Sequence, residues 1–264
     1  MNLMTEFPLE FKGLKQAVKK LYYKGDLSLL NRPKIAIIGS RKMSVYTKGC
    51  VLELASCLKN AGFCVVSGGA LGVDITAHMG AMPCTIGIFA NGLNQIYPKS
   101  NEKIIRQIYT DALALSENEG EYMPRREDFL LRNRLIIALC EHIIIAQADM
   151  KSGSLHSANL ALRLGKRVYT LPQRVGESDG TNELLAQGKI KLISDFKGFA
   201  RALASSLNLG NDFKEVCEEE DEILAFCKRG VSLNEALKKF KDKIYEYELD
   251  GKLEIQGVMV KTKI

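Results

Sequence analysis

Seven short apolar runs alternate with longer amphipathic stretches over most of this sequence, and the alternation limits the possible folds more than any other feature. The runs lie at residues 35–38, 64–67, 85–89, 112–115, 142–146, 168–171 and 190–193. Stretches with helical spacing lie between most of them, at residues 46–60, 101–109, 130–139 and 155–164. Because alternating strands and helices form βαβ units, the pattern predicts an α/β fold with a mostly parallel sheet.

The start of the chain precedes this alternation. Leu14, Val18 and Leu21 recur at helical spacing, and residues 22–26 have the composition of a turn. Apolar residues spaced three and four apart share one face of a helix. We therefore predict that residues 1–31 form a short helical N-terminal extension.

The end of the chain has a third pattern. Residues 205–213 are rich in Ser, Asn and Gly, which is typical of a linker. Within residues 214–264, short helices are predicted at residues 218–228, 233–240 and 241–249, followed by a two-stranded hairpin around Gly257. That order is typical of a small winged-helix domain, which leaves residues 32–204 as the large α/β domain.

The composition is that of a soluble globular protein, with 46% hydrophobic and 26% charged residues. No apolar run has the length of a membrane span, and residues 1–11 lack the pattern of a signal peptide. The seven cysteines form no Cys-x-x-Cys pair, so we expect reduced thiols in the cytoplasm. The three histidines are dispersed and indicate no metal site.

The net charge of +6 is unevenly distributed along the chain. Residues 214–264 contain 10 basic and 12 acidic residues, a net of −2, whereas the preceding residues contain 27 basic and 19 acidic residues, a net of +8. A basic excess favours polyanionic ligands. A phosphate-binding surface is therefore expected on the large domain.

Three glycine- and serine-containing loops follow predicted strands. They are Gly39-Ser40-Arg41-Lys42, residues 67–74, and Lys151-Ser152-Gly153-Ser154. Glycine lets the backbone approach a phosphate, and the first N–H groups of the next helix supply donors and a favourable dipole. Three such loops at one sheet edge favour a bound ligand, although glycine after a strand also serves turn geometry alone. Neither the dinucleotide nor the P-loop fingerprint is present, so we expect no cofactor.

A basic cluster lies close to the third loop in the chain. It comprises Arg125, Arg126, Phe129, Arg132, Asn133 and Arg134. Arginine binds phosphate with two donors, and phenylalanine stacks on a base, as in single-strand binding. The alternative is equally open: Phe129 belongs to the core, and the arginines pair with carboxylates such as Glu127 and Asp128.

The sequence offers little support for catalysis. No Ser/His/Asp arrangement and no carboxylate pair placed for acid–base chemistry can be identified. Asp74 and His78 are four residues apart on a predicted helix, and we expect them to cap and pack it. We predict no catalytic residue.

Together, the loops resemble one known family. The motifs, in order, are Ala36-Ile-Ile-Gly-Ser-Arg41, Ser67-Gly-Gly-Ala-Leu-Gly-Val-Asp74 with Ala77-His78, Ile96-Tyr-Pro98, Ser116-Glu117, Phe129-x-x-Arg-Asn-Arg134, Ser152-Gly-Ser154 and Gly180-Thr-Asn182. This ordered set is similar to the DprA/Smf DNA-processing family from about residue 22 to residue 182. The C-terminal part resembles that family's winged-helix domain.

The resemblance implies an extended Rossmann-like domain that binds single-stranded DNA without catalysis. It also implies a homodimer, paired near residues 182–193, that helps load the RecA recombinase during natural transformation. By position, Arg41 and Arg126 would bind phosphate and Phe129 would contact a base. The full predicted set is Gly39, Ser40, Arg41, Lys42, Arg126, Phe129, Arg132, Asn133, Lys151, Ser152, Gly153 and Ser154.

The chain departs from the family pattern at several positions. Leu71 replaces an arginine of the second loop, so Arg125, Arg126 or Lys151 would have to supply the missing charge. Gln147 stands where an acidic residue is common, and Gln173 follows Pro172 in place of glycine. The N-terminal helical domain of many members is reduced to roughly thirty residues.

Two other functions stay open from the sequence. The same kind of sheet edge occurs in enzymes resembling the LOG-type phosphoribohydrolases, but their Pro-Gly-Gly-x-Gly-Thr run is absent here. A transcription regulator would place the third helix of residues 214–264 in the major groove. That helix, residues 241–250, carries two lysines against four carboxylates. We therefore expect it to contact protein or to cover the site.

Overall fold

A computed structural model describes residues 1–207, 209, 222–228, 230–249 and 252–262. The chain divides into two compact units, Met1–Gly210 and Asn211–Ile264. Among the described residues, no helix combines the length and the apolarity needed to cross a bilayer.

The first unit is built on a nine-stranded sheet. Its strands are β1 (Asn2–Leu3), β2 (Tyr22–Gly25), β3 (Lys34–Ile38), β4 (Cys64–Ser67), β5 (Thr85–Phe89), β6 (Leu113–Ser116), β7 (His142–Ile145), β8 (Arg167–Thr170) and β9 (Lys191–Leu192). They lie in the order β1-β2-β6-β5-β4-β3-β7-β8-β9. Strands β3 to β9 are parallel, and β1 and β2 are antiparallel to their neighbours.

A helix follows each of the parallel strands. They are α1 (Val45–Asn60), α2 (Val73–Ala81), α3 (Glu102–Asp111), α4 (Arg126–Leu139), α5 (Gly153–Arg163), α6 (Asp179–Ala186) and α7 (Phe196–Ser206). Both faces of the sheet are covered, since Ile35 and Ile37 belong to one core cluster and Ala36 and Ile38 to the other. This explains why the strands are continuous apolar runs rather than alternating ones.

The order of the strands determines where a ligand can bind. From β3 the chain proceeds through β4, β5 and β6 on one side, and then returns to β7 on the other side of β3. The connections after β3 and β7 therefore diverge at the carboxyl edge and leave a crevice there. In open α/β sheets this switch point is the usual ligand site.

The α/β class and the mostly parallel sheet are confirmed. All seven predicted strands are present, and each lies within one residue of its expected bounds. Helix α4 begins at Arg126, four residues earlier than predicted. Its start is fixed by Asp128, whose carboxylate accepts the Arg125 backbone N–H at 2.7 Å.

The prediction of a helical N-terminal extension is wrong. The first 31 residues form strands β1 and β2 and two short 3-10 helices, Leu9–Gly13 and Leu27–Asn31. Residues 22–25, predicted as part of a turn, pair antiparallel with β6. Leu21 is fully buried in the core. Strand β2 covers the backbone edge that β6 would otherwise expose, a sheet-level requirement that local spacing cannot reveal.

The second unit contains the predicted helices and hairpin. Its elements are α8 (Glu222–Cys227), β10 (Val231–Ser232), α9 (Leu233–Phe240), α10 (Lys243–Leu249), β11 (Leu253–Gln256) and β12 (Met259–Thr262). The strands form a small antiparallel sheet in the order β10-β12-β11. Its assignment as a winged-helix domain stays a prediction. Within the predicted linker, residues 205–206 end α7, and residues 208 and 210–213 lie outside the described residues, as do residues 218–221 of the first predicted helix.

Candidate functional site

A cleft of about 580 Å³ opens at the carboxyl edge of the sheet, at the switch point between β3 and β7. Its lining residues are Ile38, Gly39, Ser40, Arg41, Ala70, Asp74, Tyr97, Pro124, Arg126, Phe129, Leu130, Arg132, Asn133, Ser152, Gly153 and Ser154. We call it the first cleft. Ten of the twelve residues predicted from the sequence line it. Lys42 and Lys151 do not, and both are exposed on the flanking loops.

Helix α4 provides one wall of the first cleft. Arg126, Phe129, Leu130 and Asn133 are spaced three and four apart, so they share one face of the helix. The early start of α4 therefore places Arg126 and Phe129 on a rigid helix rather than on a loop.

An arginine and two aromatic rings form a stacked group in the first cleft. The guanidinium carbon of exposed Arg41 lies 4.8 Å from the centroid of the Phe129 ring. The Tyr97 ring lies on the loop after β5, with its centroid 5.7 Å from that of Phe129 and a 39° angle between the planes. An exposed cation beside two rings can pair with a phosphate while the rings stack on bases.

Two buried charged side chains, Arg132 and Asp74, lie beneath this group. Arg132 is 5% exposed and Asp74 is 4% exposed. One terminal nitrogen of Arg132 donates to the carbonyl oxygens of Gly68 and Ile88, and so joins the ends of β4 and β5. Burial lowers the pKa of Arg132 to about 10, against the opposing attraction of the Asp74 carboxylate. Arg132 thus forms the floor of the cleft, with one terminal nitrogen bonded to these two carbonyl oxygens and Nε bonded to the Asn133 side chain at 3.0 Å.

The Asp74 carboxylate joins two of the glycine loops. It accepts backbone hydrogen bonds from Ala70 and Gly39, in the loops after β4 and β3. Burial raises its pKa, and the nearby Arg132 guanidinium opposes that rise. Asp74 lies in the first turn of α2, but this helix has no side-chain cap hydrogen bond, and the carboxylate instead holds the loop that carries Arg41.

The third loop is organised by Ser152. Its hydroxyl accepts the Leu155 backbone N–H at 3.1 Å and donates to the Asp149 carbonyl oxygen at 2.8 Å, which caps α5. Asn133 donates to the Ser157 hydroxyl at 2.9 Å and so connects α4 to α5. The N-terminus of α5 therefore opens onto the first cleft, where its dipole favours an anion.

Two departures from the family pattern hold loops together. The Gln147 side chain accepts the Ser44 backbone N–H at 3.0 Å and donates to the Glu177 carbonyl oxygen at 3.0 Å. Gln173 donates to the Ala146 carbonyl oxygen at 2.6 Å. A carboxylate at position 147 has no hydrogen to donate, so an amide suits this bridge. Leu71 is 43% exposed and does not line the first cleft.

Tyr97 is the main residue that the sequence-based site set omits. The signal was available, because Tyr97 belongs to the Ile96-Tyr-Pro98 motif and follows a strand that ends at the same sheet edge. Pro124 and Leu130 also line the cleft. Both adjoin the basic cluster. Leu130 is at helical spacing from Arg126 and Asn133, but this signal is lost in the prediction because the predicted helix begins only at residue 130.

The parallel sheet and the cleft at its switch point define a Rossmann-like α/β protein. More particularly, the chain belongs to the family of DNA recombination-mediator protein A, whose model matches residues 2–204. This confirms the resemblance to the DprA/Smf proteins.

Similar proteins are known from several bacteria. DNA processing protein A of Helicobacter pylori, whose structure describes a single-stranded DNA binding mode, is 46% identical, with a TM-score of 0.76 over 78% of this chain and 96% of that one. The Streptococcus pneumoniae DprA structure is 36% identical, with a TM-score of 0.69 over 72% and 69% of the two chains. The curated DprA sequences of S. pneumoniae and Bacillus subtilis are 37% and 33% identical over 69% of this chain. The chain spans 66% and 64% of their lengths, under two thirds in each case.

Proposed function

We propose that the first cleft binds single-stranded DNA and that the protein protects incoming DNA and helps load RecA during natural transformation. The observation that carries the proposal is the stack of Arg41, Phe129 and Tyr97 in a cleft bounded by the N-terminus of α5. Family membership and the binding mode described for the H. pylori relative support it.

The distribution of charge and rings favours a strand with unpaired bases. Asp74 offsets the charge of Arg132 at the floor of the cleft, which leaves Arg41 and Arg126, both exposed, to face an incoming phosphate. Stacking on Phe129 and Tyr97 requires a base whose face is free, and every base offers such a face. We therefore expect little sequence preference and weaker binding of duplex DNA.

Replacing Arg41 by alanine tests this proposal. The Arg41→Ala variant should bind a single-stranded oligonucleotide more weakly by roughly 1–3 kcal/mol, and the salt slope of binding should fall by about one unit because one phosphate contact is lost. Fluorescence anisotropy across a salt series measures both quantities. Arg163→Ala removes an exposed arginine that does not line the first cleft and is the control. An unchanged affinity and slope in Arg41→Ala would exclude Arg41 from the site.

We also propose that the protein is not an enzyme. The Asp74 carboxylate lines the first cleft, but it is 4% exposed and bound to two backbone N–H groups beside Arg132. A carboxylate held in this way is poorly placed to move a proton to or from a substrate. We expect no free adenine when the protein is incubated with AMP and the mixture is separated by chromatography. Turnover that survives further purification would favour the phosphoribohydrolase alternative.

The proposed partners are RecA and a second copy of the chain. Pairing near residues 182–193 is supported by the position of β9 at the end of the sheet, where its outer edge is unpaired by any described strand. In the second unit, α10 carries Glu246 and Glu248 with Lys243. These carboxylates would repel DNA phosphates, so we propose a protein contact rather than groove reading for this helix.

A further inference from the structure

A second cleft of about 500 Å³ lies on another side of α4 in the first unit. Its lining includes Gln16, Lys19 and Lys20 from the N-terminal segment, Asn118 from the loop after β6, and Leu131 and Arg134 from α4. Nothing in the proposed function uses it.

Helix α4 separates this second cleft from the first one. Asp128, Leu131 and Leu135 are spaced three and four apart on the helix and line the second cleft. Of the α4 residues, only Arg132 reaches both clefts, as part of their common floor. A ligand in the second cleft is thus held by a different set of side chains.

The guanidinium of Arg134 has donors that the protein does not use. Its side chain is 13% exposed, and one terminal nitrogen donates to both Glu117 oxygens, at 2.7 and 2.8 Å. The other terminal nitrogen and Nε are buried and have no acceptor in the described part of the chain. Buried donors are almost always hydrogen-bonded in native proteins, so these two are expected to bind an acceptor from outside the described chain, either water or an anionic oxygen.

The charge around the second cleft also favours an anion. The two acidic side chains in its lining are already engaged, because Glu117 pairs with Arg134 and Asp128 accepts hydrogen bonds from the Tyr122 hydroxyl and the Arg125 N–H. Lys19 and Lys20 supply two further positive charges. The pair between Lys20 and Glu119 is exposed on both sides, and such pairs exchange readily for another anion.

The remaining lining is apolar. Leu131 is 43% exposed, and Phe89 and Leu135 lie behind it. A cavity of this size with one apolar wall and one cationic wall suits a nucleotide-sized molecule. We propose that the second cleft binds the phosphate monoester of a nucleoside, with the phosphate on Lys19, Lys20 and Arg134 and the nucleoside against Leu131. The monoester belongs either to a free nucleotide or to the 5′-phosphate end of a DNA strand.

Isothermal titration of the full chain with AMP tests this proposal. Replacing both lysines, Lys19→Ala with Lys20→Ala, should weaken AMP binding about tenfold. The matched control replaces Lys12 and Lys15 by alanine, two exposed lysines of the same segment that do not line the second cleft. All four lysines are exposed, so these variants should fold normally.

A second experiment distinguishes the two sources of the phosphate. Oligonucleotides with a 5′-phosphate and with a 5′-hydroxyl are compared on the unmodified chain and on the Lys19/Lys20 variant. A preference for the 5′-phosphate that the double replacement removes assigns the site to strand ends, whereas equal binding beside a measurable AMP affinity assigns it to free nucleotides. The proposal is overturned if AMP binding is undetectable at millimolar concentration, or if Arg41→Ala abolishes it while the lysine variant retains it. Neither result bears on oligonucleotide binding in the first cleft.

Discussion

Replacing Arg132 by methionine should lower the free energy of unfolding by about 3–5 kcal/mol, the usual range when a buried charge loses the cation that compensates it. Methionine fills much of the same volume but donates no hydrogen bond. The carbonyl oxygens of Gly68 and Ile88 would lose their donor, and the Asp74 carboxylate would stay buried without its cation. Because these groups connect the ends of β4 and β5 with α2, the carboxyl edge of the sheet should loosen.

Urea unfolding followed by circular dichroism measures this loss. The control is Arg106→Met, on helix α3, because Arg106 forms an exposed i,i+4 pair with Glu102 and such pairs contribute little. The Arg132 variant should also bind single-stranded DNA more weakly where it is still folded, since Arg41 and Phe129 are positioned by the loosened loops. If both variants unfold at the same urea concentration, Arg132 does not stabilise this edge.

The sheet could be predicted closely because two features of the sequence identify its strands, an apolar run and the glycines that end it. An apolar run such as residues 64–67 is buried on both faces, and the glycines at positions 68 and 69 end it at once. The N-terminal segment carries no such mark. Tyr22 and Tyr23 become a strand only because β6 offers an unpaired edge, and β6 lies about ninety residues away in the chain. That pairing is a tertiary effect which a local pattern cannot predict.

The site could be predicted in position but not in detail. Loops after parallel strands must meet at one edge, which predicts that Arg41 and Ser152 lie close together, and both line the first cleft. Phe129 reaches the same cleft from α4, a position that only the family resemblance implies. A loop has no periodicity that shows which of its side chains faces the cleft. The predicted set therefore includes Lys42 beside Arg41, although Lys42 does not line the cleft. The sequence does not predict the burial of Arg132, because its hydrogen-bond partners are distant in the chain. They are the carbonyl oxygens of Gly68, directly after β4, and of Ile88 in β5.

Gly72 is the backbone position on which the geometry of the first cleft depends most directly. It has φ +75° and ψ −125°, a conformation that side chains with a Cβ rarely adopt. A Cβ on Gly72 would overlap the Ser40 carbonyl oxygen and lie 2.8 Å from the Arg41 carbonyl oxygen. The next residue, Val73, donates its N–H to the Ser40 carbonyl at 3.1 Å. The start of α2 and the loop bearing Arg41 are therefore in direct backbone contact.

The Gly72→Ala variant should consequently lose both stability and DNA affinity. We expect a loss of about 2–6 kcal/mol in the free energy of unfolding, the sum of roughly 1–3 for the strained backbone and 1–3 for the overlap. Gly165→Ala is the matched control, because Gly165 has φ +70° but no atom within 4 Å of the added Cβ. It should show the backbone strain alone and retain full affinity for single-stranded DNA. The difference between the two variants then measures how strongly the contact between Gly72 and the Ser40–Arg41 backbone positions Arg41. If the two variants lose the same stability and bind DNA with the same affinity, this contact does not position Arg41.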